Sequence, residues 1–182
     1  MKRETVSTVS LMQENALAGG DSLLGSVKNR KGMAKVSRHS YSRCRLHLIW
    51  TTLDREPMLT PPAAAKASSF LKQYAVEKHI YLKINYFNPE HVHALIDLPT
   101  SKSIEEVVQL LQGSSSHWIN ENRLLRGRFS WGRGFGAFSV SHSHVDQVAA
   151  YIANQQAHHH RKSFSQEFEL FVEKYGLEWH DE

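Results

Sequence analysis

The tripeptide His91-Val92-His93 is the part of this sequence that most directly suggests chemistry. It opens the apolar segment HVHALIDL, whose composition is typical of a strand. Residues two apart on a strand share a face, with Cα atoms roughly 6.6 Å apart. Two imidazoles can therefore converge on one metal ion, while Val92 and Ala94 point into the core. The pattern leaves open a simpler alternative, two surface histidines on a half-exposed strand.

Tyr151 and Gln155 form a second candidate pair in a segment with helical periodicity. At a spacing of i, i+4 they share one helical face, about 6 Å apart along the axis. A tyrosine oxygen can attack phosphorus if a cation withdraws charge from the phosphate, and Gln155 offers a neutral oxygen ligand. The alternative is structural, because Val148 and Ile152 also place Tyr151 at the edge of a core.

Basic and aromatic side chains alternate around a glycine-rich loop. Single-stranded DNA binders use cations for the backbone and rings for unstacked bases. The alternative is a mobile loop whose rings belong to the core, and composition favours neither interpretation. The residues are Arg126, Arg128, Arg133, Phe129, Trp131 and Phe135.

A run of three histidines, 158–160, precedes Arg161 and Lys162. It suits a metal tract, a phosphate-binding patch or a solvated helix end. Cations are favourable at a helix C-terminus whatever the function. We interpret the run as helix-end charge, with Arg161 and Lys162 as incidental DNA contacts.

The elements that must position these residues follow the order β-α-β-β-α-β-β-α-α. Alternating apolar residues predict strands, and helical periodicity with capping signals predicts helices. This order predicts an α+β fold with a mainly antiparallel sheet and helices packed on one face. The predicted strands are 44–52, 80–87, 91–98, 129–131 and 137–140, and helices begin after Thr60, Ser103, Ser143 and Ser163.

The bulk composition is that of a globular chain with a tail. The 182 residues suit one domain, and 41% hydrophobic residues permit a real core. Residues 1–32 are interrupted by glycines and end in a basic cluster, Lys28-Asn29-Arg30-Lys31. We therefore predict a flexible N-terminal tail over 1–32 and a single domain over 33–182.

Charge and special residues limit the partners. The net charge of +4 and a pI of about 9.2 permit a polyanionic partner. No apolar run approaches the roughly 20 residues of a membrane span, so no membrane contact is expected. The single cysteine, Cys44, cannot form an internal disulfide and fits a reducing cytoplasm.

Taken together, five stretches resemble the insertion-sequence-200-like HUH transposases, which carry one catalytic tyrosine. The resemblance extends from Arg43 to the C-terminus and is closest to the REP-associated tyrosine transposases. The stretches are LHLIWTT (46–52), NPEHVHALIDLP (88–99), LLQGSSSHWIN (110–120), FSWGRGFGAFSVS (129–141) and YIANQQAHHHRKSF (151–164).

The resemblance implies a ferredoxin-like fold, Mg²⁺ or Mn²⁺ as cofactor, and hairpin-bearing single-stranded DNA as substrate. His91 and His93 match the HUH pair, Tyr151 the nucleophile and Gln155 the third metal ligand. The implied enzyme cleaves and rejoins DNA through a 5′-phosphotyrosine intermediate. A homodimer is also implied, with the tyrosine helix serving its own chain or its partner.

The sequence departs from the family pattern at three places. Glu90 stands where Asn or Asp is expected before the first histidine, and Ala94 replaces a leucine. Residues 1–32 have no counterpart in the pattern. Glu90 alters the charge near the expected metal, whereas Ala94 is a packing change, and neither removes a catalytic group.

Two alternative functions compete with this enzyme. One is a domesticated regulator that binds single-stranded DNA hairpins without turnover, although binding alone needs none of the four matched residues. The other is a structural zinc protein built on the histidine run. A closed structural zinc site normally uses several cysteines, and this chain has one.

Overall fold

The structure is a computed structural model that describes residues 41–155 together with Gln166, Glu169, Leu170, Glu173 and Gly176. These residues all belong to one compact unit, Gly32–Glu182. The predicted tail over 1–32 lies outside the described residues, so the proposed domain boundary stays a prediction. The histidine run with Arg161 and Lys162 lies outside them as well.

Four antiparallel strands form the sheet at the centre of the fold. They are β1 (Cys44–Thr51), β2 (Tyr81–Phe87), β3 (His91–Leu98) and β4 (Gly136–Ser139), in the spatial order β2-β3-β1-β4. Every neighbouring pair is antiparallel. With one helix after β1 and another after β3, this is the connectivity of a ferredoxin-like sheet. The predicted α+β class is confirmed.

Helices cover both faces of the sheet. α1 (Pro61–Glu77) and α2 (Ile104–Glu121) pack together on one face, over the main hydrophobic core. α3 (Val145–Ala153) lies on the other face, where Val145 and Ile152 pack on Leu95 of β3. None of the described helices is long and apolar enough to cross a membrane.

Local sequence signals explain how α1 and α2 begin. Pro61 and Pro62 occupy the first turn of α1, where the missing N–H groups cost nothing. Ser103 and Glu106 form the predicted capping box of α2, in which each side chain accepts a hydrogen bond from the other residue's backbone N–H. α2 continues through Gly113 without a break.

The predicted strand over 129–131 does not form. Trp131 makes only an isolated bridge to Thr52. The backbone of Phe129 instead bonds the Asn120 side chain, with Phe129 N–H donating to Oδ1 and Asn120 Nδ2 donating to the Phe129 carbonyl, both at 2.8 Å. A side chain of α2 thus takes the bonds that a neighbouring strand would need.

Ser143 does not cap the helix that is predicted to begin after it. α3 begins one residue later, with His144 as its N-cap and no side-chain cap bond. The hydroxyls of Ser141 and Ser143 contact His144 Nδ1 at 2.7 and 3.1 Å, so they are engaged before the helix begins. Residues 142–144 form a short 3-10 turn instead.

Gly132 anchors the 129–134 loop to the end of β1. Its N–H donates to the Thr51 carbonyl at 2.9 Å. A Cβ at this position would lie 3.0 Å from both Thr51 Oγ1 and the Thr52 carbonyl oxygen. The close approach of two backbone segments therefore requires glycine here.

We expect Gly132→Ala to lower the free energy of unfolding by about 1–3 kcal/mol, the usual cost of overpacking. Gly113→Ala is the matched control, because its Cβ would meet nothing within 4 Å on a helical backbone. That control should gain about 0.5–1 kcal/mol. Urea unfolding of both variants measures the difference, and equal midpoints would contradict the assignment of Gly132.

Candidate active site

The two histidines of the HVH tripeptide lie on the face of β3 that α3 covers. His91 pairs with Thr51 of β1, and His93 pairs with Ile49 of β1 and Tyr86 of β2. Both imidazoles are fully buried. Strand alternation directs Val92 into the main core, as predicted, and places both histidines on the other face of the strand. That other face is also interior, rather than half-exposed.

The two imidazoles converge at their Nε2 atoms, which lie 3.0 Å apart. The rings are nearly perpendicular, with centroids 4.8 Å apart. Nitrogen–metal bonds of about 2.1 Å at a right angle would separate two ligand atoms by about 3.0 Å. The pair is therefore spaced as two adjacent ligands of one cation.

α3 brings Tyr151 to this pair within the same chain. The Tyr151 ring centroid lies 5.9 Å from that of His93, edge to face. Tyr151 is half-buried, whereas the next residue, Ile152, is fully buried and packs on Leu95. The helix is thus held by its apolar residues, and the tyrosine lies at their margin beside the imidazoles.

Gln155 also reaches the pair, through a residue that the sequence pattern did not single out. α3 ends at Ala153, and the fully buried Gln155 lies two residues further on. Asn88 Nδ2 lies 2.8 Å from His91 Nε2 and 3.4 Å from Gln155 Oε1. Asn88 therefore connects the histidine strand to the end of α3.

Asn88 lies in the turn before β3. Its backbone does close that turn, because its N–H donates to the His91 carbonyl at 2.8 Å. Its side chain, however, is 97% buried, at 3% exposure. Only the antiparallel hairpin brings this side chain to the imidazole three residues later, and strand alternation carries no signal for that contact.

A third histidine contacts the pair from the neighbouring strand. His47 of β1 is 3% exposed, and its Nε2 lies 3.0 Å from His93 Nδ1. The two ring planes are inclined by only 25°, with centroids 5.1 Å apart, and the His47 ring also lies 6.2 Å from that of Tyr151. The one signal in the sequence is a polar residue in an otherwise apolar strand, LHLIW.

One acidic side chain lies next to the histidine pair. The Glu90 carboxylate lies 3.4 Å from His91 Nδ1, an ion-pair distance rather than a short hydrogen bond. Within the described ranges, no group of three or more His, Cys, Asp or Glu side chains has a metal-binding arrangement. A closed structural zinc site is therefore absent there, and the candidate donors are two imidazoles and a neutral amide.

At the start of α3, a salt bridge ties the helix to β2. Lys83 Nζ lies 2.9 Å from Asp146 Oδ1. This hydrogen bond, and the charge of Lys83, lower the pKa of the Asp146 carboxyl. A lowered pKa means that the contact is intact above the usual Asp range of about 4 and is lost as pH falls below it.

The basic and aromatic loop separates into two parts. Phe129 is fully buried in the main core, and the Trp131 ring packs edge to face on it at 4.6 Å. The Trp131 indole N–H also donates to Ser115 Oγ at 3.0 Å. These two rings are therefore core residues, and only Phe135, 38% exposed, is accessible for base stacking.

The predicted DNA-binding arginines of this loop are all exposed: Arg126, Arg128 and Arg133. Arg133 follows Gly132, whose N–H bonds Thr51, and Thr51 is the partner of His91 in the sheet. The loop thus attaches at the end of the sheet where the histidine pair lies.

Comparison with protein families identifies the chain. The model described as "Transposase IS200 like" matches residues 40–155, well over half of the sequence. The chain belongs to the IS200-like transposase family. It is accordingly a DNA transposase by family, and the matched residues contain His47, Asn88, the histidine pair, Tyr151 and Gln155.

Two solved structures are similar to this chain. A provisionally assigned transposase of Deinococcus radiodurans R1 is 25% identical, with a TM-score of 0.54 over 67% of this chain and 98% of that one. A REP-associated tyrosine transposase bound to a REP hairpin is 14% identical, with a TM-score of 0.48 over 70% and 74% of the chains. Comparison with curated proteins yielded no match.

Proposed function

We propose that this IS200-like transposase is a metal-dependent enzyme that cleaves and rejoins single-stranded DNA at hairpin ends, with Tyr151 as the nucleophile. The observation that carries the proposal is the meeting of Tyr151, Gln155 and the two imidazoles in one chain. Taken singly, each has a structural explanation. A pure DNA-binding surface has no need of a buried imidazole pair beside a tyrosine.

The residues that would hold Mg²⁺ or Mn²⁺ are His91, His93 and Gln155. The 3.0 Å separation of the imidazole Nε2 atoms supports this assignment. All three donors are neutral when they bind, so the full charge of the cation stays available to a DNA phosphate. When bound, the cation acts as a Lewis acid that neutralises charge on the phosphate.

Tyr151 makes the nucleophilic attack in the proposed reaction. Its phenolic oxygen attacks the scissile phosphorus and forms a tyrosine–phosphate ester, while the bond from phosphorus to the 3′ oxygen breaks. The phenol loses its proton and the 3′ oxygen gains one, so the products are a 5′-phosphotyrosine and a free 3′-OH. Attack by a 3′-OH on the ester reverses the step and joins strands.

The packing of α3 supports this role by orienting the nucleophile. Val145 and Ile152 anchor the helix on Leu95, and Lys83 holds its first turn through Asp146. Holding a reacting group in place removes much of the entropic cost of the reaction. We also infer that the tyrosine serves its own chain, within a homodimer like that implied by the family resemblance.

Tyr151→Phe tests the nucleophile. Removing the oxygen should abolish the covalent protein–DNA adduct formed with labelled hairpin-bearing single-stranded DNA and Mn²⁺, as seen on denaturing gels. The variant should stay folded, as urea unfolding checks, because the half-buried ring keeps its packing. Tyr86→Phe, on the same face of the sheet, is the matched control and should retain the adduct.

An adduct that persists in Tyr151→Phe overturns the choice of nucleophile. Tight hairpin binding by the wild-type protein with no cleavage under any metal condition would instead favour the regulator without turnover. Light scattering of the native protein tests the homodimer separately, and a monomeric mass under active conditions contradicts it.

The exposed loop arginines should contact the DNA backbone. Arg133→Ala should weaken binding to single-stranded hairpin DNA and reduce the slope of log affinity against log salt by about 0.7 for each lost phosphate contact. Lys72→Ala, an exposed residue of α1 on the opposite face of the sheet, removes the same charge and should leave the slope unchanged.

A salt titration of fluorescence anisotropy for both variants decides the matter. The loop assignment fails if both substitutions reduce the slope equally, since overall charge would then explain the effect.

A further inference from the structure

We infer that His47 is a positioning residue for the metal site, acting through His93. In this arrangement His93 Nδ1–H donates to His47 Nε2, which leaves the lone pair of His93 Nε2 directed at the cation. The inference rests on the proposed function, because it concerns the same site. It assigns a role to a residue that the histidine–tyrosine pattern does not include.

The geometry links the two rings atom to atom. His47 Nε2 lies 3.0 Å from His93 Nδ1, and the opposite nitrogen of His93, Nε2, lies 3.0 Å from His91 Nε2. One side of the His93 ring thus faces His47, and the other faces the candidate metal position. If His93 donates its proton on the first side, a lone pair is left on the second side.

The tautomer of His93 follows from the placement of these two contacts on opposite sides of its ring. A neutral imidazole carries one N–H, so His93 can offer a lone pair at Nε2 only with its proton on Nδ1. Nδ1–H then needs an acceptor, and His47 Nε2 is at the right distance. His47 must in turn carry its own proton on Nδ1. Metal-binding histidines commonly donate their second N–H in this way, and losing the acceptor typically lowers metal affinity about 10–100-fold.

The strand register holds His47 in place for this task. His47 lies in β1 between its partners Leu95 of β3 and Phe138 of β4. Its ring plane is inclined by 25° to that of His93, so the two rings lie nearly side by side, and it meets the edge of Tyr151 at 78°. Because the residue is 3% exposed, water competes little for the contact.

A purely structural role for His47 predicts something different. If the ring only filled space between β1 and α3, an aromatic hydrocarbon would replace it without effect on the metal. If it acts as an acceptor, a side chain that offers a carbonyl at a similar reach should replace it. His47→Phe and His47→Gln separate the two explanations.

Mn²⁺ affinity, measured by the electron paramagnetic resonance signal of free manganese, is the primary readout. We expect His47→Phe to weaken binding about 10–100-fold and His47→Gln to restore most of it. Tyr86→Phe, on the same face of the sheet, serves as the control and should bind as tightly as the wild type. Urea unfolding checks that each variant is folded.

The tautomer can be observed directly by long-range ¹H–¹⁵N correlation spectra of the imidazoles with Mg²⁺ present. The wild type should show His93 protonated at Nδ1, and His47→Phe should shift the population toward Nε2–H.

Wild-type affinity in a folded His47→Phe variant overturns the inference, as does a Gln variant that loses as much affinity as the Phe variant. Absence of Mn²⁺ binding by the wild-type protein is a different result, because it overturns the proposed metal-dependent function itself.

Discussion

Strand β3 is covered on both faces, by α1 and α2 on one side and by α3 on the other. Its first six residues are all buried, including both histidines. Buried polar groups destabilise a fold unless they are hydrogen-bonded. Polar side chains on this face meet that requirement, because they contact the histidine pair from β1, from the turn before β3 and from the end of α3.

These contacts form a chain of polar side chains across the layer between sheet and helix. It runs from His47 through the histidine pair to Asn88 and Gln155. Apart from the two histidines of β3, each of these side chains comes from a different part of the fold. The same contacts that satisfy buried nitrogens therefore fix the positions of the groups that the proposed chemistry requires.

The helix that covers the histidines is anchored by a small apolar cluster, and Tyr151 lies half-buried at the margin of that cluster. On the opposite face, the aromatic residues of the 129–131 segment stabilise the main core. The arginines next to them remain exposed, in the loop that Gly132 attaches to the end of β1.

The sequence by itself determined the strand and helix order for most of the described chain, because alternation, helical periodicity and capping residues are local signals. It also identified the histidine pair, the tyrosine and Gln155 as candidates from strand and helix spacing, although Gln155 lies beyond the end of α3 rather than on the helical face predicted for it. It could not decide that Phe129 and Trp131 are core rings, because composition does not show which side of a loop faces inward.

Tertiary structure alone decided the partners of the pair. His47 and Asn88 meet the imidazoles through the β1–β3 register and the hairpin turn, and neither contact follows from the spacing of residues along the chain. The same holds for the strand predicted at 129–131, where the Asn120 side chain from α2 takes the backbone bonds. The pairing of distant segments determines which side chains meet in space, whereas a local sequence pattern indicates only which face of a strand or helix a residue occupies.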